Sequence, residues 1–199
     1  WLDAFGQNIR IIDTPLPGRS TAFAAGLVDP FSGRRFVVAA SSDTLIPFAK
    51  SSYQNLENLL NCSFFHTKHT VRLFTNAEEK AAFQLKKNRT THAHYLGADF
   101  DACPSYVAEL GGVEVLQAGY LNTTLFLESM QSYFTTKGLL ELRAYTSTDL
   151  EVAKTTLFCE GHRGAQNPLF SHLPFSNVKG DILTINHSTT SNQTTSSCD

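Results

Sequence analysis

The stretch from Ile9 to Arg35 constrains this chain more than any other. A short apolar run, IRIID, ends in an acid, a Ser/Thr turn follows, and AFAAGLVDPFSGRRF carries the chain onward. A strand closing on a carboxylate and giving way to such a turn reads as the second half of a dinucleotide-binding unit. There the acid at the strand tip accepts hydrogen bonds from ribose hydroxyls, the role that Asp13 is placed to fill. The glycine-rich turn of the first half does not precede it. Residues WLDAFGQN form an apolar stub closed by Gly6, the pattern of a helix end and its stop, so the chain is expected to begin inside a helix.

With 42% hydrophobic residues in 199, the chain can build a real core, as one domain or two small ones, and its net charge of -2 gives no electrostatic reason to expect nucleic acid. No apolar run approaches the about 18 residues needed to span a membrane. The four cysteines, Cys62, Cys103, Cys159 and Cys198, stand far apart without a CxxC pair, which argues against zinc and reads as scattered reduced thiols. A cytoplasmic location is the expectation. Five N-x-S/T sequons, at Asn61, Asn88, Asn122, Asn186 and Asn192, carry the contrary reading of a secreted glycoprotein.

Periodicity then alternates helices with strands. Leu45, Ala49, Tyr53, Leu56 and Leu60 recur at helical spacing over Asp43 to Leu60, with Asp43 or Thr44 as cap. The run Phe64 to Phe74 shortens its period and favours strand. Asn76 is expected to cap the next helix, with Glu79 reaching back as its capping-box partner. Lys86 to Pro104 reads as a loop-rich excursion, and GGVEVLQAGY as one half-buried strand. A helix after Asn122 presents Phe126, Met130, Tyr133 and Phe134 on one face and stops at Gly138. Leu139 to Tyr145, Thr155 to Cys159 and Gly180 to Ile185 read as further strands, before a polar low-complexity tail over 187–199.

Taken together, IIDTPLPGRSTAFAAGLVDPFSGRRF, AGYLNTTLFLESM, TTLFCEG and NPLFSHLPFSNVKGDILTI resemble the D-amino-acid oxidase / glycine oxidase family of FAD-dependent oxidoreductases, in particular a bacterial branch with an AAGL-x-x-P-x-x-G-R-R block. The resemblance is strongest at AAGL and KGDILTI; the middle matches only in element order. It implies an α/β fold of mixed α+β character, a partial Rossmann-like FAD-binding domain with an inserted antiparallel-sheet substrate domain. Residues 1–63 and 118–165 would form the first, 64–117 and 166–186 the second. The chain would be truncated at both ends, a fragment of an enzyme that oxidises an amine or amino acid by hydride transfer to flavin.

Carried over residue by residue, the resemblance gives Asp13 the adenosine ribose and Arg19, Ser20 and Thr21 the diphosphate, whose oxygens accept only and suit hydroxyl and amide donors. Ala25, Gly26 and Leu27 would run beside the isoalloxazine, and Gly161 would turn beneath the cofactor. Arg34 and Arg35 would lie near flavin or substrate. No catalytic side chain is assigned. Simpler readings stand beside these: Asp13 as a turn residue, Ser20 and Thr21 as caps, Gly26 and Gly161 as terminators, and the arginines as a solvated pair. His66 with His69, and His92 with His94, lack a third ligand at a diagnostic spacing, so no metal is expected. Glu160 and His162 lack a nucleophile. Besides the secreted domain, an NAD(P)-binding oxidoreductase is the remaining alternative.

Overall fold

Among the described residues one pair of strands is parallel, and a long excursion of the chain separates its two members. The structure is a computed structural model that describes residues 2–14, 19–33, 35–101, 108–178 and 180. In chain order the first elements are β1 (Ile11–Asp13), α1 (Ser20–Phe23), β2 (Leu27–Val28), β3 (Phe31–Ser32), β4 (Val37–Val38), α2 (Ser42–Leu60), β5 (Phe65–Thr67) and β6 (Thr70–Leu73). There follow α3 (Ala77–Lys86), α4 (Thr90–Ala93), β7 (Leu96–Phe100), β8 (Gly112–Val115), β9 (Gly119–Leu121), α5 (Thr123–Thr136), β10 (Leu140–Leu142) and α6 (Ser147–Val152). Two 3-10 turns, Gly161–Gln166 and Pro168–Phe170, come after them. The fold is mixed α/β with several small sheets, and contacts divide it into two units. Of the described residues, one unit takes those up to Ala24 and from Thr123 to Gly180, and the other takes those within Ala25–Asn122.

In the first unit β1 pairs with β10 in parallel, Ile11 opposite Leu140 and Asp13 opposite Leu142. Helix α5 leads into β10, the helical connection that parallel strands require. Its stop follows the sequence expectation. Gly138 takes φ +68°, its N–H bonds Thr135 O and the Leu139 N–H bonds Phe134 O, both at 2.9 Å, which satisfies the last carbonyls. Phe126, Met130, Tyr133 and Phe134 are half-buried as a face. Lys137 Nζ lies 2.8 Å from an Asp3 oxygen and the Tyr133 hydroxyl donates to the same oxygen at 2.9 Å, so Lys137 first and Tyr133 second hold the Asp3 carboxyl below its usual range.

Charge holds the strand ends. Arg10, just before β1, bonds Glu141 on β10, Arg143 Nε also bonds Glu141 at 2.8 Å, and both arginines reach Asp149 on α6, at 3.1 Å and 2.7 Å. The Arg10 and Arg143 guanidiniums pull the Glu141 carboxyl down to about 2. Arg143 first, with the Thr146 N–H, sends Asp149 lower still. The strand expected over Thr155–Cys159 is not formed: this segment has no regular structure and Leu157 is exposed. Among the described residues no strand pairs with this run, and its anchor is Phe158, edge-on to Tyr145 and Phe170 at 5.6 and 5.1 Å. The strand expected over Gly180–Ile185 falls, beyond Gly180, outside the described residues.

The second unit is antiparallel throughout. Its sheets run β2-β9-β5, β3-β4 and β6-β8-β7. The expected single strand over GGVEVLQAGY is two strands in two sheets, because the chain turns at Gln117 with φ +59°. Phe31, Phe36, Phe74, Phe83, Tyr95, Val113 and Val115 form the core, each large side chain contributing about 2 kcal/mol by leaving water. The loop-rich excursion expected after Lys86 instead contains α4 and the strand β7. Gly97 is no breaker here: a Cβ on it would lie 2.2 Å from the Glu114 carboxylate, so the glycine makes room for that side chain on the neighbouring strand.

Helix α2 starts one residue before the expected Asp43. Ser41 is its N-cap, in a left-handed conformation at φ 60°, so neither Asp43 nor Thr44 caps it. Ile46, not Leu45, is the residue of its first turns that enters the core. At its other end Glu57 Oε1 accepts from the N–H groups of Phe64 and Phe65 at 2.7 and 2.8 Å, tying helix to β5. Helix α3 begins as expected, with the Glu79 N–H donating to Asn76 Oδ1 at 2.8 Å. The reciprocal bond goes elsewhere. The Glu79 carboxylate takes the Thr75 N–H and hydroxyl at 3.1 and 2.8 Å and the Arg72 guanidinium at 3.0 Å.

Candidate functional site

Asp13 is the last residue of β1, at the carboxyl end of the parallel pair. That is the edge where open parallel sheets present ligands, because the strand ends and the loops leaving them converge there. Arg19 Nη2 lies 3.0 Å from Asp13 Oδ2 and donates to the Thr14 carbonyl at 2.8 Å. The Thr14 hydroxyl donates in turn to Arg143 O at 3.3 Å, joining this edge to the residue after β10. Arg19 is also the N-cap of α1, and Ser20 and Thr21 open that helix with both side chains exposed. The Arg19 side chain makes no cap bond, and neither do Ser20 or Thr21 stand at the cap position.

Thus the first unit brings Arg19 to Asp13, and Ser20 and Thr21 follow Arg19 at the start of α1. A carboxylate, a guanidinium and two exposed hydroxyls at a parallel-strand edge fit a nucleotide, which offers ribose donors and phosphate acceptors. Gly161, in the same unit, takes φ +58° at the start of a 3-10 turn, with open space where a Cβ would stand. Its conformation, not crowding, favours glycine. Near it Glu160 Oε2 accepts from the buried Asn167 at 2.8 Å, a pairing that no local pattern announced.

The remaining expected positions lie in the second unit. Ala25 is exposed. Gly26 takes φ +69°, and a Cβ there would sit 2.1 Å from the Leu121 carbonyl oxygen. The close approach at Gly26 is therefore made by the backbone of β9, and the Leu121 N–H bonds Gly26 O at 2.9 Å. Leu27 is exposed and pairs with Tyr120. Arg35 is exposed, its carbonyl accepting from Lys86 Nζ, while Arg34 lies outside the described residues.

Three of the four histidines weighed as metal ligands have polar partners. His92 is buried and its Nε2 lies 2.9 Å from Phe36 O, His94 Nε2 lies 2.9 Å from Asp43, and His69 Nδ1 lies 2.8 Å from Glu114. Among the described residues no group of three or more His, Cys, Asp or Glu is placed to hold a metal, and no helix is long and apolar enough to cross a membrane. A shallow hollow of about 310 Å³ lies on α5, lined by Glu128, Gln131, Ser132, Thr135 and Thr136. Five side chains of one helix do not converge on a point, so it is not the site.

No family model matches the chain. Among solved structures it is similar to iminodiacetate oxidase from Chelativorans sp. BNC1, at a TM-score of 0.48 and 17% identity over 73% of this chain. The chain spans 42% of that oxidase's length.

Proposed function

We propose that this chain is part of a FAD-dependent oxidoreductase of the D-amino-acid oxidase / glycine oxidase type, acting on an amine or amino acid. The observation that carries the reading is Asp13 at the carboxyl edge of the parallel pair β1 and β10, with Arg19, Ser20 and Thr21 directly after it. In this reading Asp13 accepts from the ribose hydroxyls, while Arg19 balances its charge and, with the exposed hydroxyls of Ser20 and Thr21, faces the diphosphate. Carried over from the resemblance, Ala25, Gly26 and Leu27 would run along the ring system, Gly161 would turn beneath the cofactor, and Arg34 and Arg35 would serve flavin or substrate. Flavin supplies the capacity to accept a hydride, and the chain supplies orientation and fixed charge.

The test is FAD titration of the purified chain, followed by flavin fluorescence. Asp13→Ala is expected to weaken FAD about tenfold, the order of one lost charge-assisted hydrogen-bond pair, with the far-UV spectrum unchanged. An Asp13→Ala chain that binds FAD as tightly as the parent removes the ribose role.

A further inference from the structure

Two neighbouring histidines of the second unit meet opposite demands. The buried His92 directs Nε2 at Phe36 O and has the Thr91 hydroxyl 2.9 Å from Nδ1. The carbonyl takes only a donor, but the hydroxyl can give its own hydrogen to the second nitrogen, so a neutral ring satisfies both contacts. His94 has no such freedom. Its Nε2 lies 2.9 Å from Asp43 Oδ1 and its Nδ1 lies 3.2 Å from Thr90 O. Tyr95 first and His94 second hold the Asp43 carboxyl below its usual range, so both nitrogens face atoms that only accept. A neutral imidazole carries a single N–H. Only the imidazolium makes the two bonds together.

These bonds meet at a junction of elements. Asp43 belongs to the first turn of α2, and His94 is the C-cap of α4, just before β7. The His94 carbonyl accepts from Gln117 Nε2 at 3.4 Å, at the left-handed turn between β8 and β9. The imidazole lies against the Tyr95 ring, 3.9 Å between centroids, and the Tyr95 hydroxyl donates to the same Asp43 oxygen at 2.6 Å. Among the described residues, then, the titratable groups that meet the ring are Asp43 from α2 and Tyr95 beside it. From the β8–β9 turn comes only the uncharged Gln117. We propose that His94 is a proton-operated clasp between the start of α2 and the corner from α4 to β7. With both ring nitrogens protonated the clasp is closed. When one proton passes to solvent, the remaining N–H stays with the carboxylate, the stronger acceptor, and the bare Nδ1 turns from Thr90 O. Both side chains of the ion pair are exposed, so the clasp changes local position and adds little to global stability.

NMR of the isotope-labelled chain, following imidazole and backbone signals together, tests this. From about pH 5 to about pH 8 the amide signals of Asp43, Thr44 and Gln117 are expected to move with the same midpoint as the His94 ring. His94→Gln should abolish that shared step with the far-UV spectrum unchanged, and His69→Gln, whose ring pairs with Glu114 instead, should leave it in place. A His94 ring that titrates while those amides stay still overturns the proposal. So does a ring that keeps one charge state throughout, or a step that survives His94→Gln and so belongs to His92.

Discussion

Arg143 holds Asp149 with both terminal nitrogens, Nη1 to Oδ2 and Nη2 to Oδ1, each at 2.7 Å. The fork is planar on both sides, a geometry that lysine cannot reproduce. Because the same guanidinium also takes Glu141, one side chain links β10 to α6 and, through Arg10, to β1. Arg143→Lys is expected to lower the melting temperature of the first unit by a few degrees and to make it more salt-sensitive, checked by calorimetry at low and high ionic strength.

Acid should act on the same cluster. Glu141, at about 2, and Asp149, lower still, both titrate below their ordinary values of 4.5 and 3.8. Groups depressed in the folded state contribute stability above their unfolded values and lose it as pH falls through the folded ones. Unfolding of the first unit is therefore expected to become easier below about pH 4.5, and Glu141→Gln should flatten that fall. A pH series of urea midpoints measures it.

Tyr95 sets the opposite limit in the second unit. Burial, then the Asp43 carboxylate that accepts its hydroxyl at 2.6 Å, pushes the phenol up to about 12 from its ordinary 10.0. A raised group contributes fully below its unfolded value and loses that contribution as pH rises through the folded one. Stability is expected to hold to about pH 10 and to fall between there and pH 12. Tyr95→Phe should show no such alkaline step by circular dichroism.

Glu79 is the most consequential buried charge. Burial works to raise its carboxyl, and the Thr75 N–H and hydroxyl with the Arg72 guanidinium outweigh it, leaving the group below the usual range. Arg72 in turn lies over the Phe36 ring at 4.2 Å. Glu79→Ala would strand that cation inside the protein, at an expected cost of about 3 kcal/mol. The urea midpoint of the second unit reads it, with Glu78→Ala, on the exposed side of the same turn, as a near-neutral control.

Two left-handed glycines separate crowding from conformation. Gly26→Ala meets both the Leu121 carbonyl and an unfavourable φ, and is expected to cost more than about 2 kcal/mol. Gly161→Ala meets only the φ and should cost about 1 kcal/mol. Equal losses at the two positions would show that the contact with Leu121 is unimportant.

The features legible in the sequence were those that neighbours in the chain decide. Asn76 and Gly138 announced a helix start and a helix stop because capping bonds span only a few residues. The acid-tipped strand ending at Asp13 showed itself in the same local way. What escaped depends on distant partners. The choice of Ile46 over Leu45, the break at Gln117 and the failure of TTLFC to form a strand each turn on which surface or edge lies nearby. The pairing of Arg19 with Asp13 and the ring of Arg10, Glu141, Arg143 and Asp149 escaped for the same reason. Likewise His66 and Tyr120 become neighbours only through the register of β5 on β9.

The placement of β1 before the whole second unit, and of its partner β10 after it, also has a consequence in time. On the ribosome Ile11 emerges long before Leu140, and residues 25–122 have their own core to collapse on in the interval. The parallel pair must wait for them, so its closure is a long-range step, slowed by the entropy of bringing distant segments together. Until then Ile11–Asp13 is without the partner that β10 supplies.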